Sequence, residues 1–360
     1  MTSSIEHNYD AIGGKKSEVL LFSRESGRRD YAWKGSLGKS SFSRISFDFG
    51  LLAFLMISQL GSLLPVSAKP WNASNVEIRT GINMMVSAET EKEKKNHAPA
   101  PFYETLRKAL KKRKLKIESI CPTSDVVARR ILEEYGAIFL AVRNVTPPPV
   151  CVFTAEEQVT RFQEAAGFTT ETIADAEIEL QPEAMRKLLK ARAEAAEENL
   201  DITPRGGAEA ARRNYEDSLR LWDTRFLPAL DYWLGQGRLT AEQVSRLLNL
   251  PLHNQVAEVL ELEKSGIFFS KDLSKSILYS IAAPGTSQHI AMLALDVTEF
   301  DNPRVREILG KHGWFQTVLS DLPHFTFLGL KEKDLPKKGL KSVEADGQTF
   351  WIPNAVDRPT

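Results

Sequence analysis

Apolar residues along this chain recur at two periods, and the switches between them outline its elements. Six stretches carry apolar positions three and four apart, the spacing of a single helix face. They run from Ser124 to Glu134, Ala155 to Ala166, Pro182 to about Asn199, Ala208 to about Trp233, Leu239 to Leu250 and Pro251 to Lys264. The third places Met185, Leu188, Leu189 and Ala193 on one face and opens with proline in its first turn, where a missing N–H costs nothing. In the fourth, Tyr215, Leu219, Trp222, Phe226, Leu230 and Trp233 form an aromatic stripe that reads as core. Arg304 to Gly313 predicts one more helix through Val305, Ile308 and Leu309. Short apolar runs predict strands at Ala137–Val142, Val150–Phe153 (after the turn Thr146-Pro-Pro-Pro149), Trp314–Val318, Phe325–Leu328 and Thr349–Ile352. Few short strands among many helices predict an α+β fold, a small antiparallel sheet packed with helices.

The amino-terminal part lacks this patterning. Met1 to about Arg44 is rich in Ser, Gly and charge and is expected to be disordered. From Phe47 an apolar run, interrupted by Ser58, Gln59, Gly61 and Ser62, ends at Pro65-Val-Ser-Ala68. That is the form of a signal-peptide core and cleavage site, so export is expected, with an uncleaved anchor or a buried core helix as the competing readings. Lys69 to Pro101 reads as a linker. The expected organisation is residues 1–68 as leader or anchor, 69–101 as linker, 102–175 as a small α/β extension, and 176–360 as the main domain with a helical insertion at 208–265.

Composition narrows the classes. The chain has 360 residues, 42% of them hydrophobic, and a formal net charge of zero, which excludes a nucleic-acid binder working by bulk electrostatics. Phe102 to Glu118 is locally basic and amphipathic; it reads as a solvated helix face, with contact to an anionic membrane or cell-wall surface as the second reading. Cys121 and Cys151 are the only cysteines. In an exported chain such a pair is expected to be bridged, and neither sits in the Cys-x-x-Cys spacing of a zinc site.

Candidate chemistry concentrates between Ser287 and His324. His289 and Asp296 flank an alternating apolar segment, a spacing suited to a turn leading into a strand, and Asp321 precedes His324 by three residues. Two neutral imidazoles and a carboxylate supply a divalent metal with three ligands and leave a fourth position for water, the arrangement of catalytic zinc. The competing reading is a hydrogen-bonded His–Asp core pair. His312 reads as a helix-end or surface residue.

At these positions the chain resembles the D-alanyl-D-alanine carboxypeptidase and dipeptidase (VanY-type) zinc metallopeptidases, which are related to the lysostaphin and hedgehog zinc folds. Ser287, His289, Ala294 and Asp296 match the family pattern Ser-x-His-x-x-Gly-x-Ala-x-Asp in register, and His324 takes the last place of Glu-x-Trp-His. Met292 stands where the family has Gly, Asp321 where it has Glu, and Pro323 where it has Trp. The resemblance covers about Ala184 to Gly329. It implies one Zn2+ held by His289, Asp296 and His324, Asp321 as general base, and Ser287 orienting a ligand or substrate. Thr203-Pro-Arg205-Gly206 falls where the family has Ser-Gly-Tyr-Arg-Ser, which makes Arg205 the candidate clamp for a substrate carboxylate. Pro204, Gly206 and Ala210 depart from that motif. The implied substrate is a peptide or muropeptide. Two functions stand: an exported peptidase, or a zinc-stabilised binding or scaffold protein on the same fold. Glu299 is the alternative base should Asp321 not serve.

Overall fold

The computed structural model describes residues 19–25, 28–34, 101–142 and 144–355. The apolar run at 47–68 and the linker at 69–100 lie outside the described residues. The chain divides into two compact units, Met1–Asn96 and His97–Thr360.

In the first unit, strands β1 (Val19–Glu25) and β2 (Arg28–Lys34) pair antiparallel, Val19 opposite Lys34 and Glu25 opposite Arg28. This hairpin lies inside the stretch expected to be disordered. Val-Leu-Leu-Phe and Tyr-Ala-Trp are β-forming runs on strands only two residues apart, and the charged residues between the runs masked them.

The second unit is α+β, and over the described chain helix accounts for 50% and strand for 13%. Helix α1 (Pro101–Lys112) buries Phe102, Leu106 and Leu110 and leaves Arg107, Lys108, Lys111 and Lys112 in solvent. A short turn of helix, α2 (Ile117–Ile120), leads to Cys121. Helix α3 (Val126–Tyr135) starts at Asp125, whose carboxylate accepts the Ala128 N–H at 2.8 Å, a side-chain N-cap.

Two expected strands are absent here. Gly136–Leu140 is a fully buried 3-10 turn continuing α3, and residues 150–153 are bends rather than a ladder. A short continuous apolar run suits a buried strand or a buried helical turn equally, and packing against the core chose the turn. What holds 150–153 is chemistry of another kind. Cys121 and Cys151 are disulfide-bonded, Cα to Cα 5.3 Å, as the cysteine pattern predicts. Two residues on, the Phe153 N–H donates to the Gly285 carbonyl at 2.9 Å. Gly285 has φ +74°, and a Cβ there would sit 1.9 Å from the Phe153 oxygen, so this close approach requires glycine.

Helix α4 (Glu156–Ala166), the hairpin of β3 (Thr169–Ile173) and β4 (Ala176–Leu180), and helix α5 (Pro182–Glu197) follow. The helix expected from Ala208 begins later, at Tyr215. A 3-10 turn at Gly207–Ala210 comes first, and Asn214 caps α6 (Tyr215–Gly235) by accepting the Asp217 N–H at 2.7 Å. Helices α7 (Ala241–Asn249) and α8 (Leu252–Lys264) pack against α6, where the buried Trp222 indole donates to Gln255 at 3.1 Å.

The central sheet is small. Its strands β5 (Ala294–Asp296), β6 (Trp314–Phe315) and β7 (His324–Phe327) are antiparallel in the order β5-β7-β6, with helix α9 (Pro303–Lys311) between β5 and β6. β6 is shorter than the expected Trp314–Val318. The last expected strand is one arm of a hairpin, β8 (Leu340–Ala345) and β9 (Gln348–Pro353). Asp346 and Gly347 between them have φ +50° and +71°, the left-handed pair a two-residue hairpin turn requires.

Candidate metal centre

Three local structures bring the expected ligands together. His289 sits in a 3-10 turn, Gln288–Ala291, that runs into β5; Asp296 ends β5; His324 begins β7. Antiparallel register sets Asp296 directly opposite His324, so two of the ligands are a cross-strand pair. His289, Asp296 and His324 are all buried and form a cluster able to hold a metal ion.

The turn leaves the 3-10 helix through Met292, at φ +54° and ψ 33°. Glycine adopts this left-handed conformation without strain. Here methionine takes it and is fully buried. Three buried glutamines hold the turn: Gln163 donates to Ile290 O at 3.0 Å, Gln181 to Ala291 O at 2.8 Å, and Gln288 to Tyr135 O at 2.8 Å.

The facing atoms form a near-equilateral triangle. His289 Nε2 lies 3.0 Å from His324 Nδ1 and 3.2 Å from Asp296 Oδ1, and His324 Nδ1 lies 3.3 Å from the same oxygen. A regular tetrahedron has edges about 1.6 times its centre-to-corner distance, so edges of this size suit a zinc ion bonded at about 2 Å. The outward atoms say where the protons are. His289 Nδ1 faces the Ala211 carbonyl at 3.3 Å, an acceptor only, so it carries the hydrogen. His324 Nε2 faces Gln288 Oε1 at 2.9 Å; that atom is the oxygen because the same amide's nitrogen donates to Tyr135 O. Both inward nitrogens are therefore lone pairs, aimed with a carboxylate oxygen at one point. Three acceptors at this spacing repel one another unless a cation sits between them, and a simple His–Asp hydrogen bond does not account for the second imidazole.

Charges around the cluster are arranged to match. Asp296 Oδ2 receives Arg213 at 2.8 Å. Burial would raise the Asp296 carboxyl, but His289 and His324 beside it hold it well below the ordinary carboxylate value. Burial, helped by Arg213, pushes the His289 imidazole down to about 4, so it is neutral at physiological pH, as a ligand must be.

Asp321 lies near the cluster, partly buried, and hydrogen-bonds through its main chain to the His324 N–H at 3.2 Å. Burial raises its carboxyl above the ordinary value; His324, Arg213 and Arg205 pull it down, and Asp296 pushes it up. Arg205 is exposed on a segment that pairs with the end of β5: its N–H donates to Asp296 O at 2.8 Å, and Pro204 bridges Val297. Its guanidinium stands 5.4 Å above the Phe300 ring. Glu299 instead accepts the Thr203 N–H at 2.8 Å and the Thr203 hydroxyl at 2.6 Å, so it fixes the loop that carries Arg205. The structure thus gathers His289, Asp296, His324, Asp321 and Arg205 in one region.

Ser287 lies beside the cluster, next to His289's turn. It begins the 3-10 turn, but its hydroxyl bonds none of the three ligands; Gln288, its neighbour, orients His324. Arg213 and Ala211 are the other supports that sequence reasoning missed, because contacts across 83 and 78 positions leave no periodic trace. His312 caps the end of α9 and meets Glu194 at 2.9 Å, apart from the centre, as expected.

Among the described residues no helix is long and apolar enough to cross a membrane, and the disulfide suits an oxidising compartment. The chain matches no protein-family model and no curated protein. What its geometry establishes is a buried His289–Asp296–His324 group fit for a metal ion, on the central sheet of an α+β fold.

Proposed function

We propose that this chain is an exported zinc-dependent peptidase that hydrolyses the carboxyl-terminal peptide bond of a small cell-wall peptide, D-Ala-D-Ala in type. The observation that carries the proposal is the convergence of three proton-free ligand atoms at tetrahedral spacing, with a carboxyl and an exposed arginine beside them. Two imidazoles and one carboxylate leave a fourth position, the open arrangement of catalytic rather than structural zinc. When bound, zinc supplies Lewis-acid polarisation of a carbonyl oxygen and makes a water more acidic.

The chain's own residues supply the rest. Asp321, made more basic by burial, takes the proton of the attacking water and returns it to the departing amine. Its side chain is one carbon shorter than glutamate, so its reach depends on the His324–Asp321 main-chain bond that starts β7. Arg205 offers two parallel N–H groups to the substrate's free carboxylate. The disulfide and the signal-like run at 47–68 support export.

Product analysis on muropeptides tests the reading. Zinc-loaded protein is expected to release the terminal residue, and more slowly when that terminus is amidated. Asp321→Asn is expected to keep its zinc and lose about a hundredfold to ten-thousandfold in rate. Zinc-loaded protein that hydrolyses no muropeptide refutes the peptidase reading and leaves a metal-stabilised binding protein.

A further inference from the structure

A carboxylate binds a metal through one oxygen or two, and the second mode takes up the position a substrate needs. At this centre the choice rests on what holds Asp296 Oδ2. That oxygen accepts a hydrogen bond from Arg213 Nη2 at 2.8 Å, while Oδ1 faces the two imidazoles. Arg213 is itself fixed. Its Nε donates to Glu209 O at 3.0 Å, its N–H to His289 O at 3.4 Å, and its carbonyl accepts Gln163 Nε2 at 2.9 Å. Two residues earlier, Ala211 O takes the Nδ1 hydrogen of His289. One stretch, Ala211–Arg213, therefore grips the outer atoms of two of the three ligands.

We infer that Arg213 is a positioning residue that keeps Asp296 a one-oxygen ligand and so preserves the open coordination position. This rests on the metal-centre reading above. Geometry favours arginine over lysine: the planar fork reaches Glu209 O and Oδ2 at once, where an ammonium is a single point of charge. Coordinating carboxylates held in this way owe much of their affinity to the outer partner.

The test uses the full chain, with zinc affinity measured by chelator competition and the visible spectrum of the cobalt(II)-loaded protein. Arg213→Met is expected to lose about 10- to 100-fold in zinc affinity. Its cobalt bands are expected to weaken, because the freed Oδ2 joins the metal and the coordination number rises from four to five. Arg213→Lys is expected to fall between the two in affinity with a spectrum close to wild type. Arg220→Met removes a cation from the start of α6, one that pairs with Glu209 at 2.6 Å and touches no ligand; it is expected to change neither readout. Should Arg213→Met fail to fold, Arg213→Gln and Arg213→Lys carry the same comparison. Wild type that takes up no metal overturns the centre and the clamp together. Wild type that loads normally, with an Arg213 variant equal to it in affinity and spectrum, overturns the clamp alone.

Discussion

Gln288→Leu removes the amide that joins the metal centre to helix α3 while nearly preserving volume. In the native protein Gln288 Oε1 accepts the His324 Nε2 hydrogen at 2.9 Å and the Thr326 hydroxyl, and its Nε2 donates to Tyr135 O at 2.8 Å. Gln288 is 4% exposed, so water does not replace these bonds. Thr326 keeps a partner, since its hydroxyl lies 2.7 Å from that of Thr317. One group then loses its partner in the buried interior, the His324 Nε2–H. That costs about 1–3 kcal/mol, so metal-free Gln288→Leu should lose about 2 kcal/mol, part of the cost being offset by the buried leucine. Urea unfolding in chelator measures it as a lower midpoint at unchanged slope. The imidazole also becomes free to move its proton to Nδ1, which should lower zinc affinity by about 10- to 100-fold. A stability loss below about 1 kcal/mol, with zinc affinity unchanged, would refute the proton assignment on which the centre depends.

Three further outcomes follow from particular contacts. Replacing both cysteines by serine should cost about 3–4 kcal/mol by urea unfolding, from the closure entropy of a loop spanning 30 positions. Metal-free protein should lose stability in acid: an unfolded histidine binds its proton near pH 6.5 and folded His289 only at about 4, so stability is complete above about 6.5 and declines toward 4 by up to about 3 kcal/mol. A denaturation midpoint that stays flat between pH 7 and 4 contradicts the buried neutral imidazole. Gly285→Ala should destabilise by more than about 2 kcal/mol, because its Cβ meets backbone oxygen at Phe153 rather than a movable side chain; a neutral result denies that contact.

The ligands were legible because their signal is local: a turn-to-strand spacing from His289 to Asp296, and a carboxylate three residues before His324. The disulfide was legible because the chain offers only one pairing. Helices α3, α4, α5, α7 and α8 announced themselves by periodicity. Ala137–Val142 did not, because six apolar residues fit a strand and a buried 3-10 turn alike. The β8–β9 turn carried a readable signal in Asp346-Gly347, which the charged residues of β8 obscured. Arg213, Ala211 and Gln288 act on the ligands through folded geometry, and no spacing rule reaches them.

Metal content of the purified full chain tests the central claim most directly. Loaded with zinc and dialysed, wild type should retain about one zinc per chain, since His289, Asp296 and His324 fill three tetrahedral positions. His289→Ala and His324→Ala should each retain almost none. Equal zinc in wild type and His324→Ala, or a wild type that retains no metal, would contradict the account.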